Sequence, residues 1–107
     1  MLYKFKSPAA ADVIMLEADG RRILELIGKG AGSPGIVTAA QIPGAIAALE
    51  AAVSAEDAAA ADAEEREEEE GSGSLKRDAV RLRQRATPFI DLLRRSAAEG
   101  ADVVWGV

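Results

Sequence analysis

The sequence predicts an α+β fold: a small three-stranded sheet, antiparallel or mixed, with three helices, the second of them long and projecting. Residues 1–6 alternate, with Tyr3 and Phe5 on one face, which is typical of a half-buried strand. Apolar side chains at helical spacing fill the middle of the chain, and β-branched and aromatic residues end it. Since 107 residues can bury only one compact core, we expect a single domain over residues 1–107.

Two more strands complete the predicted sheet. Residues 13–16 are four consecutive bulky apolar side chains, two of them β-branched, and a run that is apolar on both faces indicates a central strand. Residues 102–107 contain Val103, Val104 and Trp105 and show the same character. The order of the strands in the sheet stays open.

A short first helix is predicted after the second strand. Its apolar positions recur at helical spacing and are Ile23, Leu24, Leu26 and Ile27. Asp19 is the expected N-cap, and Gly28 or Gly30 the expected C-cap. Residues 28–35 hold four glycines and form a loop, which Ile36 and Val37 pin back onto the core. The glycines have the spacing of a dinucleotide-binding fingerprint. That motif requires a preceding strand, and a helix is predicted there instead, so we interpret the segment as a loop.

The second helix begins with a capping box formed by Thr38 and Gln41 and continues to about Glu70. Between residues 55 and 70 lie nine acidic residues and one basic residue, a local charge of −8, so the rest of the chain carries +3 against a total of −5. Residues 55–74 are therefore interpreted as a solvated acidic helix extension followed by a flexible connector, Gly71–Ser74.

The third helix is the ambiguous element. Residues 80–85 alternate like a strand, but the apolar positions from Leu82 onward also form one helical face, which favours a helix over residues 81–99. Pro88 opposes this interpretation, because proline inside a helix costs about 3 kcal/mol. In the alternative, Thr87 caps a shorter helix and residues 80–84 form a strand. Gly100 ends the helix in both versions.

Composition excludes several chemistries. Without cysteine or histidine, the chain has no thiolate nucleophile, no imidazole base and no disulfide, so we expect no catalytic residue, metal site or cofactor. No apolar run approaches the roughly 20 residues that span a bilayer, and the first residues do not form a secretory signal. We therefore expect a cytoplasmic protein without a membrane anchor.

A basic segment is the candidate partner site, because guanidinium groups bind carboxylates and phosphates in pairs. Its residues are Arg81, Arg83, Gln84, Arg85, Arg94, Arg95 and Trp105. The first hypothesis is a small cytoplasmic binding or regulatory module for an acidic or protein partner. Nucleic acid is not expected as a partner, because the neighbouring segment carries a charge of −8. The plain alternative makes the arginines a solvated helix face and Trp105 a core residue.

Two further hypotheses concern assembly and chemistry. Three helices, one of them mostly alanine and glutamate, can hardly cover both faces of the sheet, so a two-fold homodimer is the simplest cover for the second face. The second function hypothesis is an enzyme that places Asp12 or Asp102 beside Arg85 at a sheet end. A concave pocket joining those residues would support it.

Several segments resemble a known family. They are MLYKFKS and DVIML at the start, IPGAIAALEAAV in the middle, and LRQRATPFIDLLRRS with ADVVWGV at the end. Together they are similar to a family of short bacterial proteins catalogued as domain of unknown function 1840. The alanine and glutamate stretch between Ala55 and Ser74 looks like that family's spacer of variable length. Members often have serine where this chain has Arg81. The resemblance implies kinship and assigns no activity.

Overall fold

The computed structural model describes residues 2–29, 35–65 and 69–106, with side chains at all of these except 62–65, 69–76 and 78. The elements in chain order are β1 (Leu2–Ser7), β2 (Ala10–Leu16), α1 (Glu17–Leu26), β3 (Gly35–Val37), α2 (Ile42–Glu65), α3 (Glu69–Ala98) and β4 (Val103–Trp105). The α+β class and the three helices are confirmed.

The sheet within these residues has four antiparallel strands in the order β2-β1-β4-β3, one more than predicted. The additional strand is β3, which contains the last residue of the predicted loop, Gly35, and the two residues predicted to pin that loop to the core, Ile36 and Val37. A strand of three residues is too short to show a period, and its pairing partner Val104 lies far along the chain from Ile36. Glycine is required at Gly35 because a Cβ there would overlap the ring of Trp105.

The central position expected for residues 13–16 is wrong, because β2 is an edge strand. Val13 and Met15 face the helices, and Met15 belongs to the core. Ile14 and Leu16 point to the other face and are 54% and 52% exposed. The strand β2 is thus apolar on both faces, but helices cover only its inner face among the described residues. Among the described residues, the outer face of the sheet has no covering helix.

The core lies between the inner sheet face and the three helices. Its buried members are Phe5, Met15, Ile23, Leu24, Val37, Ile42, Ala45, Leu49, Phe89, Leu92, Leu93, Val103 and Trp105. The ring of Phe5 lies beside three others, with centroid separations of 4.7 Å to Phe89, 5.8 Å to Trp105 and 6.0 Å to Tyr3. These rings join β1, α3 and β4, so the two ends of the chain meet in one core.

The helical interpretation of residues 80–85 is confirmed, since α3 runs without interruption through Pro88. Phe89, Leu92 and Leu93 bury this part of the helix against the sheet, and that burial outweighs the hydrogen bond that proline cannot donate. The helix begins at Glu69 rather than near residue 81, so the backbone of Gly71–Ser74 is helical where a connector was predicted. The flexibility of that stretch stays a prediction.

Two predicted C-terminal glycine caps and half of one predicted N-terminal cap are observed. Gly28 and Gly100 adopt φ of 78° and 64°, the left-handed region that favours glycine after a helix. The side chain of Gln41 accepts a hydrogen bond from the Thr38 N–H at 3.1 Å, which is one half of the predicted capping box. No helix in the described part of the chain is long and apolar enough to cross a membrane.

Candidate functional site: an arginine pocket between α1 and α3

The helical form of residues 81–95 divides the arginines that a strand would have aligned. Arg81 and Arg85 are one turn apart and face α1, whereas Arg83 and Arg94 face α2. Arg95 pairs with Asp91 on its own helix at 2.9 Å. The predicted basic segment is therefore not one site.

Gln84 and Trp105 lie apart from those arginine pairs. Gln84 is exposed on α3. Trp105 is 1% exposed and packs in the core, which agrees with its alternative interpretation as a core residue. Its indole ring offers no surface to a partner in this structure.

Asp19 organises the side of α3 that faces α1. Its carboxylate is 8% exposed and accepts two hydrogen bonds from Arg81, from Nε to Oδ1 at 2.8 Å and from Nη2 to Oδ2 at 3.1 Å. Nε of Arg85 lies 3.4 Å from Oδ2 of the same carboxylate. Two guanidinium groups thus share one buried carboxylate, and the bidentate geometry favours Arg81.

The position of Asp19 follows from the local sequence. It is the third residue of α1 rather than the predicted N-cap, a position that Leu16 occupies. Asp19 precedes Ile23 by four residues and therefore shares its buried helix face, a signal that the sequence contained. A Cβ at Gly20 would lie 2.6 Å from the ring of Tyr3, so glycine lets α1 approach β1 closely and brings Asp19 to α3.

A cavity of about 320 Å³ opens beside this carboxylate. Ile23 and Leu82, which are 0% and 3% exposed, supply its apolar part, and Arg22, Arg81 and Arg85 supply its positive charge. Arg22 also forms an ion pair with Glu56 of α2. Sequence patterns did not indicate Arg22 as a site residue. Arg22 and Arg85 line the same cavity only because α1 packs on α3.

The three arginines beside the cavity are not paired alike. Among the described residues, Arg22 pairs with Glu56, and Arg81 pairs with Asp19. Arg85 has the longest of the three contacts, from Nε to Oδ2 of Asp19 at 3.4 Å. Within the described residues, its terminal nitrogens donate no hydrogen bond. These donors are half-exposed beside the cavity and can bind an external anion.

The arginines that face α2 are paired one to one. Arg83 lies 2.5 Å from Asp57, and the hydrogen bond and charge of that carboxylate raise the pKa of Arg83. Arg94 donates to Oε1 of Glu50 at 2.7 Å. Glu56 and Asp57, which begin the acidic tract, thus contact arginines of both other helices, as the attraction of unlike charges predicts.

The carboxylates of the enzyme hypothesis lie elsewhere. Asp12 pairs with Lys4 on the sheet at 3.6 Å. Asp102 accepts a hydrogen bond from the Ala39 N–H at 2.9 Å and lines a separate cavity beside Lys6. Neither residue lines the cavity of Arg85. The structure also shows no group of three or more potential metal ligands among the residues it describes.

The structure defines a small α+β protein with a cavity between α1 and α3 that is lined by three arginines. A family model described as a domain of unknown function (DUF1840) matches residues 1–105, so the chain belongs to that family. Comparison with curated proteins found no match, and comparison with solved structures found none either. The family assigns no activity, so any function must come from the site.

Proposed function

We propose that this protein is a binding module that receives an acidic side chain of a protein partner in the cavity between α1 and α3. Arg85 carries the proposal, because it lines the cavity and its terminal nitrogens donate no hydrogen bond within the described part of the chain. Arg22 and Arg81 line the same cavity. A carboxylate would bind through charge-assisted hydrogen bonds, with Ile23 and Leu82 against its aliphatic stem.

The charge of the whole chain supports a small acidic group over a polyanion. The total is −5, and the tract at residues 55–70 carries −8, so a nucleic acid would meet repulsion around a local positive site. A single carboxylate matches the one arginine, Arg85, whose terminal nitrogens donate no hydrogen bond within the described residues. We therefore keep an acidic protein as the proposed partner.

Peptide binding tests the proposal. The probe is an acetylated and amidated hexapeptide that contains one glutamate, titrated into the ¹⁵N-labelled full chain and followed by NMR. Arg85→Gln is expected to weaken binding about tenfold, the effect of losing charge-assisted hydrogen bonds. Arg95→Gln is the matched control on the same helix, and its affinity is expected to stay unchanged. Equal affinities of wild type and Arg85→Gln would overturn the proposal.

We also propose that the module is a homodimer that packs the outer sheet face against a second copy. Leu2, Ile14 and Leu16 are each more than half exposed on that face, and Leu2 pairs directly with Leu16 across β1 and β2. Sedimentation of wild type and Leu16→Lys tests this assembly. A monomeric wild type would contradict it. The cytoplasmic location expected from the sequence stays a prediction.

A further inference from the structure

We propose that Glu56 acts as a charge filter for the cavity between α1 and α3, so that the cavity favours singly charged carboxylates over doubly charged phosphate groups. This inference rests on the proposed function, because it concerns which anion the same cavity accepts. It assigns a selectivity role to a residue of α2, and none of the described side chains of α2 lines the cavity.

Glu56 reaches the site through Arg22. The two side chains form an ion pair between α2 and α1, and Arg22 lines the cavity. The side chain of Glu56 is 26% exposed, compared with 43% for Arg22, so the carboxylate is the more enclosed partner. Within the described residues, Oε2 of Glu56 is buried and accepts no hydrogen bond. Arg22 is the cation that pairs with this carboxylate among the described residues. We therefore expect the negative charge of Glu56 to act on an anion in the cavity.

Coulomb's law makes this charge selective. The repulsion between Glu56 and a bound anion is proportional to the charge of the anion, so a phosphate near −2 experiences about twice the penalty of a carboxylate at −1. A single charge roughly 6 Å away in a water-rich site changes the affinity of a monoanion about threefold. The corresponding factor for a dianion is the square of that number, about tenfold.

Glu50 provides a matched control for Glu56. It lies on the same helix and also pairs with an arginine, since its Oε1 accepts a hydrogen bond from Arg94 at 2.7 Å. Arg94 does not line the cavity. Substituting Glu50 therefore removes the same charge from the same helix without changing the charge of an arginine that faces the bound anion.

The experiment compares two hexapeptides that differ only in having glutamate or phosphoserine at one position. Their dissociation constants are measured by NMR titration for wild type, Glu56→Gln and Glu50→Gln at one ionic strength. Glu56→Gln is expected to tighten the glutamate peptide about threefold and the phosphoserine peptide about tenfold. Glu50→Gln is expected to change the ratio of the two constants by less than about 1.5-fold.

Two results would overturn the charge filter, and they can be told apart. If both peptides bind and Glu56→Gln changes both constants by the same factor, or changes neither, Glu56 does not select and the arginine cavity stands. If neither peptide binds to wild type or to Glu56→Gln, the cavity is not an anion site, and both proposals fall together.

Discussion

Arginines lie on both sides of α3, but their pairing with carboxylates differs between the two sides. On the side facing α2, Arg83 and Arg94 each have a carboxylate of their own. On the side facing α1, Arg81 and Arg85 share one, that of Asp19. Of the five arginines within these fifteen residues, Arg85 has the longest carboxylate contact that the described residues show, and it lies beside a cavity.

This difference shows that pairing, rather than the number of charges, identifies the candidate site. The acidic residues that precede α3 in sequence neutralise the side facing α2, because α2 and α3 pack against each other. The side facing α1 meets a helix that brings a further arginine, Arg22, to the cavity. A count of charges along the sequence treats both sides alike, and the structure separates them.

The largest expected effect on stability is at the shared carboxylate. Asp19→Asn should lower the free energy of unfolding by about 2 kcal/mol, because it removes charge-assisted hydrogen bonds at a site that is 8% exposed. Asp91→Asn is the control, since its pair with Arg95 is exposed and should contribute about 0.5 kcal/mol. Urea unfolding measures both. Equal losses of unfolding free energy in the two variants would contradict the expectation that the buried, shared carboxylate of Asp19 stabilises the fold more than an exposed ion pair does.

A smaller effect is expected where α1 touches the sheet. Gly20→Ala raises helix propensity, yet its new methyl group would meet the ring of Tyr3 at 2.6 Å. We expect a net loss of about 1 kcal/mol in urea unfolding, because overpacking outweighs propensity. The Nε–H signal of Arg81 in the ¹⁵N spectrum should shift while that of Arg83 should not. A stabilised variant would contradict the close contact of α1 and β1.

The smallest effect is expected on the side facing α2. The pair of Arg94 and Glu50 is more than half exposed, so Arg94→Gln should change the free energy of unfolding by less than about 0.5 kcal/mol. It should also leave the affinity for the glutamate peptide unchanged. A binding loss similar to that of Arg85→Gln would mean that both sides of α3 bind anions and that the comparison is wrong.

Local patterns predicted much of the fold. The strand at each end, the three helices and the glycine caps at Gly28 and Gly100 follow from periodicity and from backbone preferences. Residues 35–37 were missed because a short strand depends on its partner. The edge position of β2 was missed because strand order depends on pairing between segments distant in sequence.

The candidate site was predictable only in part. Arg81 and Arg85 were identified from the sequence, because their charges stand out on an amphipathic helix. Asp19 was given the wrong local role, although its spacing from Ile23 places it on the buried face of α1. Arg22 and Glu56 gave no usable signal, since their importance arises from the packing of three helices that no local pattern encodes.

Site-resolved titration tests the central claim most directly. The Nε–H groups of all arginines are observed by ¹⁵N NMR while the glutamate hexapeptide is added to the full chain. The account predicts a saturable shift at Arg85, a smaller one at Arg22, and none at Arg83 or Arg94. Equal, unsaturable shifts at every arginine, or the largest shift at Arg83 or Arg94, would contradict it.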